Sequence, residues 1–163
     1  MFGLLNISEA MSIALHTCAC LASSDKPYSS TRLIANRLGF SSHHSAKVVQ
    51  QLVHAGLLET NRGPSGGIRL ARSPEKITLF EIYVAAGGQP TVTGCLLKRD
   101  ICAGNDCMLG KLLSKENAKL INLLKRTSLS NVVDSVSQTL RNKIGDKVPS
   151  VTAKQRGTKS KTQ

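Results

Sequence analysis

Residues 28–72 read YSSTRLIANRLGFSSHHSAKVVQQLVHAGLLETNRGPSGGIRLAR, and this stretch decides the fold. Thr31 to Leu38 has the spacing of a short amphipathic helix, with Leu33, Ile34 and Leu38 on one face. Gly39 is free to take the left-handed conformation that ends a helix. Ser41 or Ser42 can cap a second helix whose apolar stripe is Ala46, Val49 (or Val48), Leu52 and Val53. Two helices joined by so short a turn form a helix-turn-helix, whose second helix lies in the DNA major groove. Gly56 then breaks the helix. Leu57 to Thr60 reads as a strand, Arg62 to Gly67 as a turn, and Ile68 to Leu70 as a return strand. Three glycines and a proline in that turn suit a hairpin tip with positive φ angles. Arg62 lies at the tip, and Arg69 and Arg72 follow on the return. In isolation this is an ordinary surface hairpin with solvated charges. Directly after a recognition helix it is a wing, whose arginine can enter a minor groove. The expected fold is mainly α with a small β-hairpin wing: a winged helix-turn-helix DNA-binding domain plus a long dimerisation helix.

Upstream, Asn6 or Ser8 can cap a helix running to about Leu21. Its residues Ile7, Met11, Ala14, Leu15, Cys18 and Leu21 fall at helical spacing and would pack under the helix-turn-helix. Downstream, Thr78 caps a short helix, Leu79 to Ala86, ended by Gly87-Gly88. Gln89 to Asp106 has no periodicity. Met108 to about Arg126 is a long helix bearing Leu109, Leu112, Leu113, Leu120, Leu123 and Leu124. A further helical stretch starts at Ser128 or Ser130. A long leucine-bearing helix outside a nearly complete winged domain is usually covered by a second copy of itself, giving a homodimer. The domain reading is therefore 1–88 for the winged domain, 89–107 for a cysteine-containing sensor loop, 108–143 for the dimerisation helix and its successor, and 144–163 for a disordered basic tail.

The formal charge of the 163 residues is +12, which favours a polyanionic partner such as double-stranded DNA. Residues 26–76 hold eight Lys/Arg against two Glu, and residues 141–163 hold seven against one Asp. The two segments account for all the excess, and the basic helix-turn-helix is the informative one. No segment approaches the ~18 apolar residues needed to cross a bilayer. Ile13 to Ala22 is apolar enough to resemble a signal-peptide core, but it lacks a positive n-region and follows Glu9, with His16 inside it. The expectation is a cytoplasmic protein with no membrane partner. Five cysteines, an odd number, argue against a secreted disulfide framework.

Three of those cysteines, Cys95, Cys102 and Cys107, lie close together before the long helix. The gaps between them are six and four residues. Zinc sites favour tighter pairs and four ligands. Iron–sulfur clusters tolerate wider, irregular gaps. Free thiols, or a redox pair plus a spare, are also consistent with the spacing. Cys18 and Cys20 read as small buried core thiols.

Taken together, these pieces resemble the Rrf2 family of bacterial transcription regulators, over about residues 7 to 133. Ile13-Ala14-Leu15 matches the family's opening-helix motif. Ala55-Gly56-Leu57-Leu58 followed by Arg62-Gly63-Pro64-Ser65-Gly66-Gly67-Ile68-Arg69-Leu70-Ala71 resembles its most specific one. Ile77-Thr78-Leu79 and Gly87-Gly88 match the next helix, and 127–133 matches the segment after the dimer helix. The resemblance implies dimeric DNA binding, in many members governed by an iron–sulfur cluster that senses redox state, nitric oxide or iron–sulfur status. By position, Cys95, Cys102 and Cys107 would be cluster ligands. The family's variable fourth ligand corresponds to Ser12 or His16, and a neutral imidazole is the more competent donor. The six-then-four gaps differ from those of the best-known members, so the cluster type, 2Fe–2S or 4Fe–4S, does not transfer. Ser45 and Ala46 replace larger residues, so the operator sequence does not transfer either.

Under this reading Ser41 to Gln51 enters the major groove. Ser41, Ser42, His43, His44, Lys47, Gln50 and Gln51 are its polar candidates for phosphate or base contact. The wing contributes Arg62, Gly63, Pro64, Ser65, Gly66, Gly67 and Arg69. The alternative is a cluster-free regulator on the same fold that responds to thiol chemistry or a small molecule. Enzymatic function is not expected, because the chain has no Gly-rich phosphate loop, HExxH motif or nucleophile elbow.

Overall fold

A computed structural model describes residues 7–63, 66–90 and 107–133 of the chain. Helix α1 (Glu9–Ala22) is started by Ser8, whose hydroxyl accepts the Met11 N–H at 3.2 Å. Its buried face is Ile13, Ala14, Thr17, Cys18 and Ala19. That face packs against α3 (Ser42–His54), α4 (Leu79–Ala85), α2 (Thr31–Leu38) and the hairpin strand β2 (Gly67–Leu70). The first helix is thus the floor of the domain. One core joins it to Ile34, Val48, Val49, Leu52, Leu57, Leu58, Ile68, Ile77 and Ile82. Burying each such side chain favours folding by roughly 1.5–3 kcal/mol.

The helix-turn-helix forms as its sequence requires. Gly39 ends α2 at φ 75°, in the left-handed region. Ser41 caps α3, its hydroxyl accepting the His44 N–H at 3.4 Å. Of the expected apolar faces, Ile34, Leu38, Val48, Val49, Leu52 and Val53 meet the core, and Leu33 and Ala46 do not. In α2 the buried pair is Ile34 and Ala35, and Leu33 is 60% exposed. In α3 the inward row is Ser45, Val48, Val49 and Leu52, and Ala46 faces solvent. Ser45, Val48, Val49 and Leu52 follow the i, i+3, i+4, i+7 pattern of a helix face. With Val48 and Val49 both turned inward, Ala46 falls on the outer face. The Ser45 hydroxyl is buried and has no hydrogen-bond partner among the described residues. Such a group costs about 1–3 kcal/mol.

Strand β1 (Leu58–Asn61) pairs antiparallel with β2, in a register that sets Leu58 opposite Leu70 and Asn61 opposite Gly67. An isolated bridge beside this two-stranded sheet escapes the sequence pattern because it involves a single residue on one side. Ser29 bridges Ile68, donating to its carbonyl at 3.0 Å and accepting its N–H at 2.9 Å. The entry to α2 is thereby tied to the wing. Gly67 makes the approach possible: φ is 150° there, and a Cβ would lie 2.5 Å from the Ser29 carbonyl oxygen.

After the wing, a single 3-10 turn (Pro74–Lys76) leads into α4. Thr78 and Glu81 form a capping box: the Thr78 hydroxyl accepts the Glu81 N–H at 3.2 Å, and the Glu81 carboxylate accepts the Thr78 N–H at 2.8 Å. The long helix α5 (Met108–Arg126) packs against α4. Its end returns to the winged domain. Leu79 N–H donates to the Thr127 carbonyl at 2.9 Å and Leu129 N–H to the Ile77 carbonyl at 2.7 Å. Leu129 is fully buried, and Val133 joins it in the core. The segment after the long helix therefore helps close the first domain. Residues Pro64 and Ser65, Cys95 and Cys102, most of the 89–107 loop and the 144–163 tail lie outside the described residues.

Candidate nucleic-acid interface

The outer face of α3 carries His43, Ala46, Lys47, Gln50, Gln51 and His54, all exposed. They recur three or four residues apart, so they form one stripe opposite the buried row. Ser41 and Ser42 are exposed at its start, although the Ser41 hydroxyl is occupied as the cap. Two residues extend the set reached from the sequence. Ala46 lies centrally in the stripe, where a methyl group can meet a thymine methyl. Arg32 is exposed in the first turn of α2, the helix that crosses the backbone in this motif. The inward phase of Val48 and Val49 would have revealed Ala46.

His44 behaves differently from His43. It is half-buried, and its Nδ1 lies 3.2 Å from Glu9 Oε2 at the start of α1. On the wing, Arg62 and Gly63 are exposed, while Gly66 and Gly67 are half-buried at the base of the tip. Arg69 is engaged within the protein. It pairs across the hairpin with Glu59 and lies over the Tyr28 ring, 5.0 Å from its centroid. Arg72 donates to the Glu81 carboxylate at 2.9 Å and to the Lys76 carbonyl at 3.3 Å. It joins the wing's exit to the cap of α4.

Partial desolvation pushes the Glu81 carboxyl up, but hydrogen bonds from the Thr78 N–H, Arg72 and the Thr78 hydroxyl outweigh it, so its pKa lies below the ordinary value. A lowered carboxylate stabilises the fold above its unfolded pKa, and that contribution is lost as pH falls through the folded value. Glu81→Gln is accordingly expected to cost about 0.5–1 kcal/mol at pH 7 and less at pH 3. Urea denaturation at the two pH values checks this, and an equal cost at both would assign the effect to packing.

Of the four proposed cluster ligands, two are described. Cys107 caps α5, and its sulfur accepts the Gly110 N–H at 3.3 Å. His16 is half-buried in α1, edge-on to Phe40 with centroids 6.3 Å apart. Its Nδ1 lies 2.8 Å from the Ser12 carbonyl oxygen. A carbonyl can only accept, so Nδ1 is the donor in this bond. Cys18 differs in kind: burial pushes its thiol up to about 12. Burial also raises Cys20, against an opposing effect of the Arg37 charge. No group of three or more potential metal-binding side chains forms among the described residues.

The described residues include no helix long and apolar enough to cross a membrane. Residues 7–135 match the Rrf2 family, described as iron-dependent transcriptional regulators. The HTH-type transcriptional regulator NsrR of Halalkalibacterium halodurans is 40% identical over 107 residues, 64% of this chain and 73% of that protein. The structure of CymR, the global cysteine regulator of B. subtilis, superposes with a TM-score of 0.66 at 24% identity, covering 81% of this chain and 98% of that one. IscR of T. potens gives 0.66 at 20% identity, covering 83% and 91%. These two likenesses support the winged-helix architecture. With the stripe on α3, the glycine-built wing and a family match across most of its length, the chain belongs to the Rrf2 family of DNA-binding transcriptional regulators, which are not enzymes.

Proposed function

We propose that this regulator binds operator DNA as a homodimer and that an iron–sulfur cluster on its cysteine segment sets the affinity. The observation that carries the DNA half is the uninterrupted exposed stripe from His43 to His54 beside the wing. With α3 in the major groove, Lys47 would meet phosphate and Gln50 or Gln51 base edges. Arg62, exposed at the wing, would lie against the minor groove. Ser41, Ser42, His43 and the backbone of the wing from Gly63 to Gly67 complete the surface. His44 and Arg69 would contribute only after leaving Glu9 and Glu59. The second copy would cover Met108, Leu109, Leu112 and Leu123, which are exposed along α5. Two copies also suit a two-fold operator with half-sites one helical turn apart.

Cys95, Cys102 and Cys107 would hold the cluster, with His16 from one copy or the other as the fourth ligand. The donor set suits such a group. The Cys107 sulfur already accepts a backbone N–H, one of the means by which proteins tune these centres. The His16 Nδ1–H bond to a carbonyl is the arrangement that orients a ligating imidazole and leaves Nε2 to donate. Bound there, the cluster would supply iron that responds to redox state, nitric oxide or iron–sulfur supply. Cys107 begins α5 and Thr127 ends it against Leu79. Fixing that first residue would orient the helix and, through it, the spacing of two recognition helices.

Anaerobically purified protein is expected to be brown and to contain iron and sulfide. Cys102→Ala should abolish the visible absorbance and the response of DNA binding to oxidant. Colourless protein with iron-independent DNA binding would reject the cluster and leave the regulator intact. The second reading is a cluster-free regulator on the same fold, responding to thiol chemistry or a small molecule. Cysteine alkylation with metal analysis separates the two.

A further inference from the structure

We propose that Glu9 is a specificity-determining residue of the DNA interface, placing a negative charge beside the N-terminus of the recognition helix. Glu9 is the first residue of α1, and its carboxylate lies 3.2 Å from His44 Nδ1 in the first turn of α3. The His44 N–H is itself used by the Ser41 cap. Glu9 is the only acidic residue in α1, α2 and α3. All other charge on this substructure is positive or carried by histidine. The Glu9 side chain is 62% exposed, and a polar contact that open to water adds little stability. Its position gives it another effect.

The first turn of a recognition helix is where base edges and flanking phosphates are met. Its free N–H groups draw anions. On arbitrary duplex the attraction is almost wholly between phosphates and basic side chains, and the helix end drifts to the nearest phosphate. Glu9 opposes that approach and withholds His44 from it. On the operator, base contacts from Gln50 and its neighbours hold the helix in one register, and the opposition is smaller. An element that repels wrong partners more than the right one raises discrimination even where it lowers affinity.

The inference rests on the groove-facing reading of α3, and the test separates the two. Full-length protein is used to select a preferred duplex from a randomised pool, and binding to it is compared with a random-sequence duplex of the same length. Glu9→Gln removes the charge and keeps an acceptor for His44. It is expected to bind the random duplex about five-fold tighter, with a salt slope steeper by about one, and to gain little on the selected duplex. The ratio of the two affinities falls, and Glu9→Asp restores it. Equal gains on both duplexes, or none on the random one, would overturn the assignment. Gln50→Ala supplies the control: if it loses no affinity for the selected duplex, the groove reading fails and Glu9 with it. A loss there beside an unchanged Glu9→Gln ratio refutes Glu9 alone.

Discussion

Gly67→Ala is expected to open the base of the wing and to destabilise the domain by about 2–4 kcal/mol. Two costs add. The φ of 150° lies where a side chain is strained, and the new Cβ would lie 2.5 Å from the Ser29 carbonyl oxygen and 2.8 Å from its carbon. Neither is the movable end of a side chain. Relief requires breaking the Ser29–Ile68 pair, whose two hydrogen bonds tie the start of α2 to β2. Ile68, 3% exposed in the core, would move with it. Urea denaturation followed by far-ultraviolet circular dichroism measures the loss. Gly39→Ala is the control. Its φ is 75°, but nothing lies within 4 Å of the added atom, so only the left-handed penalty of about 1–2 kcal/mol applies. Equal costs at the two positions would mean that the wing base yields where the contacts say it cannot.

Leu129→Ala is expected to cost about 2–5 kcal/mol, although the residue follows the long helix. Its side chain is fully buried among the core residues of the winged domain. Leu123, four residues before the turn at Thr127, is 60% exposed. In isolated monomer its replacement by alanine should change stability by no more than about 0.5 kcal/mol. Thermal unfolding of the two variants at low concentration checks the contrast. A large effect at Leu123 with none at Leu129 would invert the assignment of inner and outer faces around α5.

The contrast also shows what could be read without coordinates. Gly39, the Ser41 cap, the glycine-rich tip, Thr78 as a cap and the span Met108–Arg126 all follow from local chemistry, where one residue type suits one backbone conformation. The phase of α2 and α3 was harder. Leu33 beside Ile34, and Ala46 beside Ser45, are adjacent residues of which only one turns inward here, and tertiary packing makes the choice. Apolar character misleads there, because Leu33 faces water and Ser45 does not. Charge misleads on the wing for a related reason. Arg62, Arg69 and Arg72 look alike in sequence, but Glu59 and Tyr28 engage the second and Glu81 the third. Those partners lie ten residues away or farther along the chain for Arg69 and nine for Arg72, beyond any local pattern. The Ser29 bridge and the homecoming of Leu129 were hidden for the same reason: both are long-range pairings of very few residues.

The antiparallel bridge between Thr78 and Ser128 gives the chain a particular history during synthesis. Everything from α4 to the end of α5 is an excursion that departs from and arrives at one spot. The ribosome must deliver all of it before Leu129 can fill its place. Until then the nascent winged half lacks Leu129, which shares its core with Ile77 and Ile82. Contacts so distant in sequence slow the final step of folding, and an unfilled apolar seam attracts other chains. The winged domain is thus completed by residues that lie past the long helix packed against it.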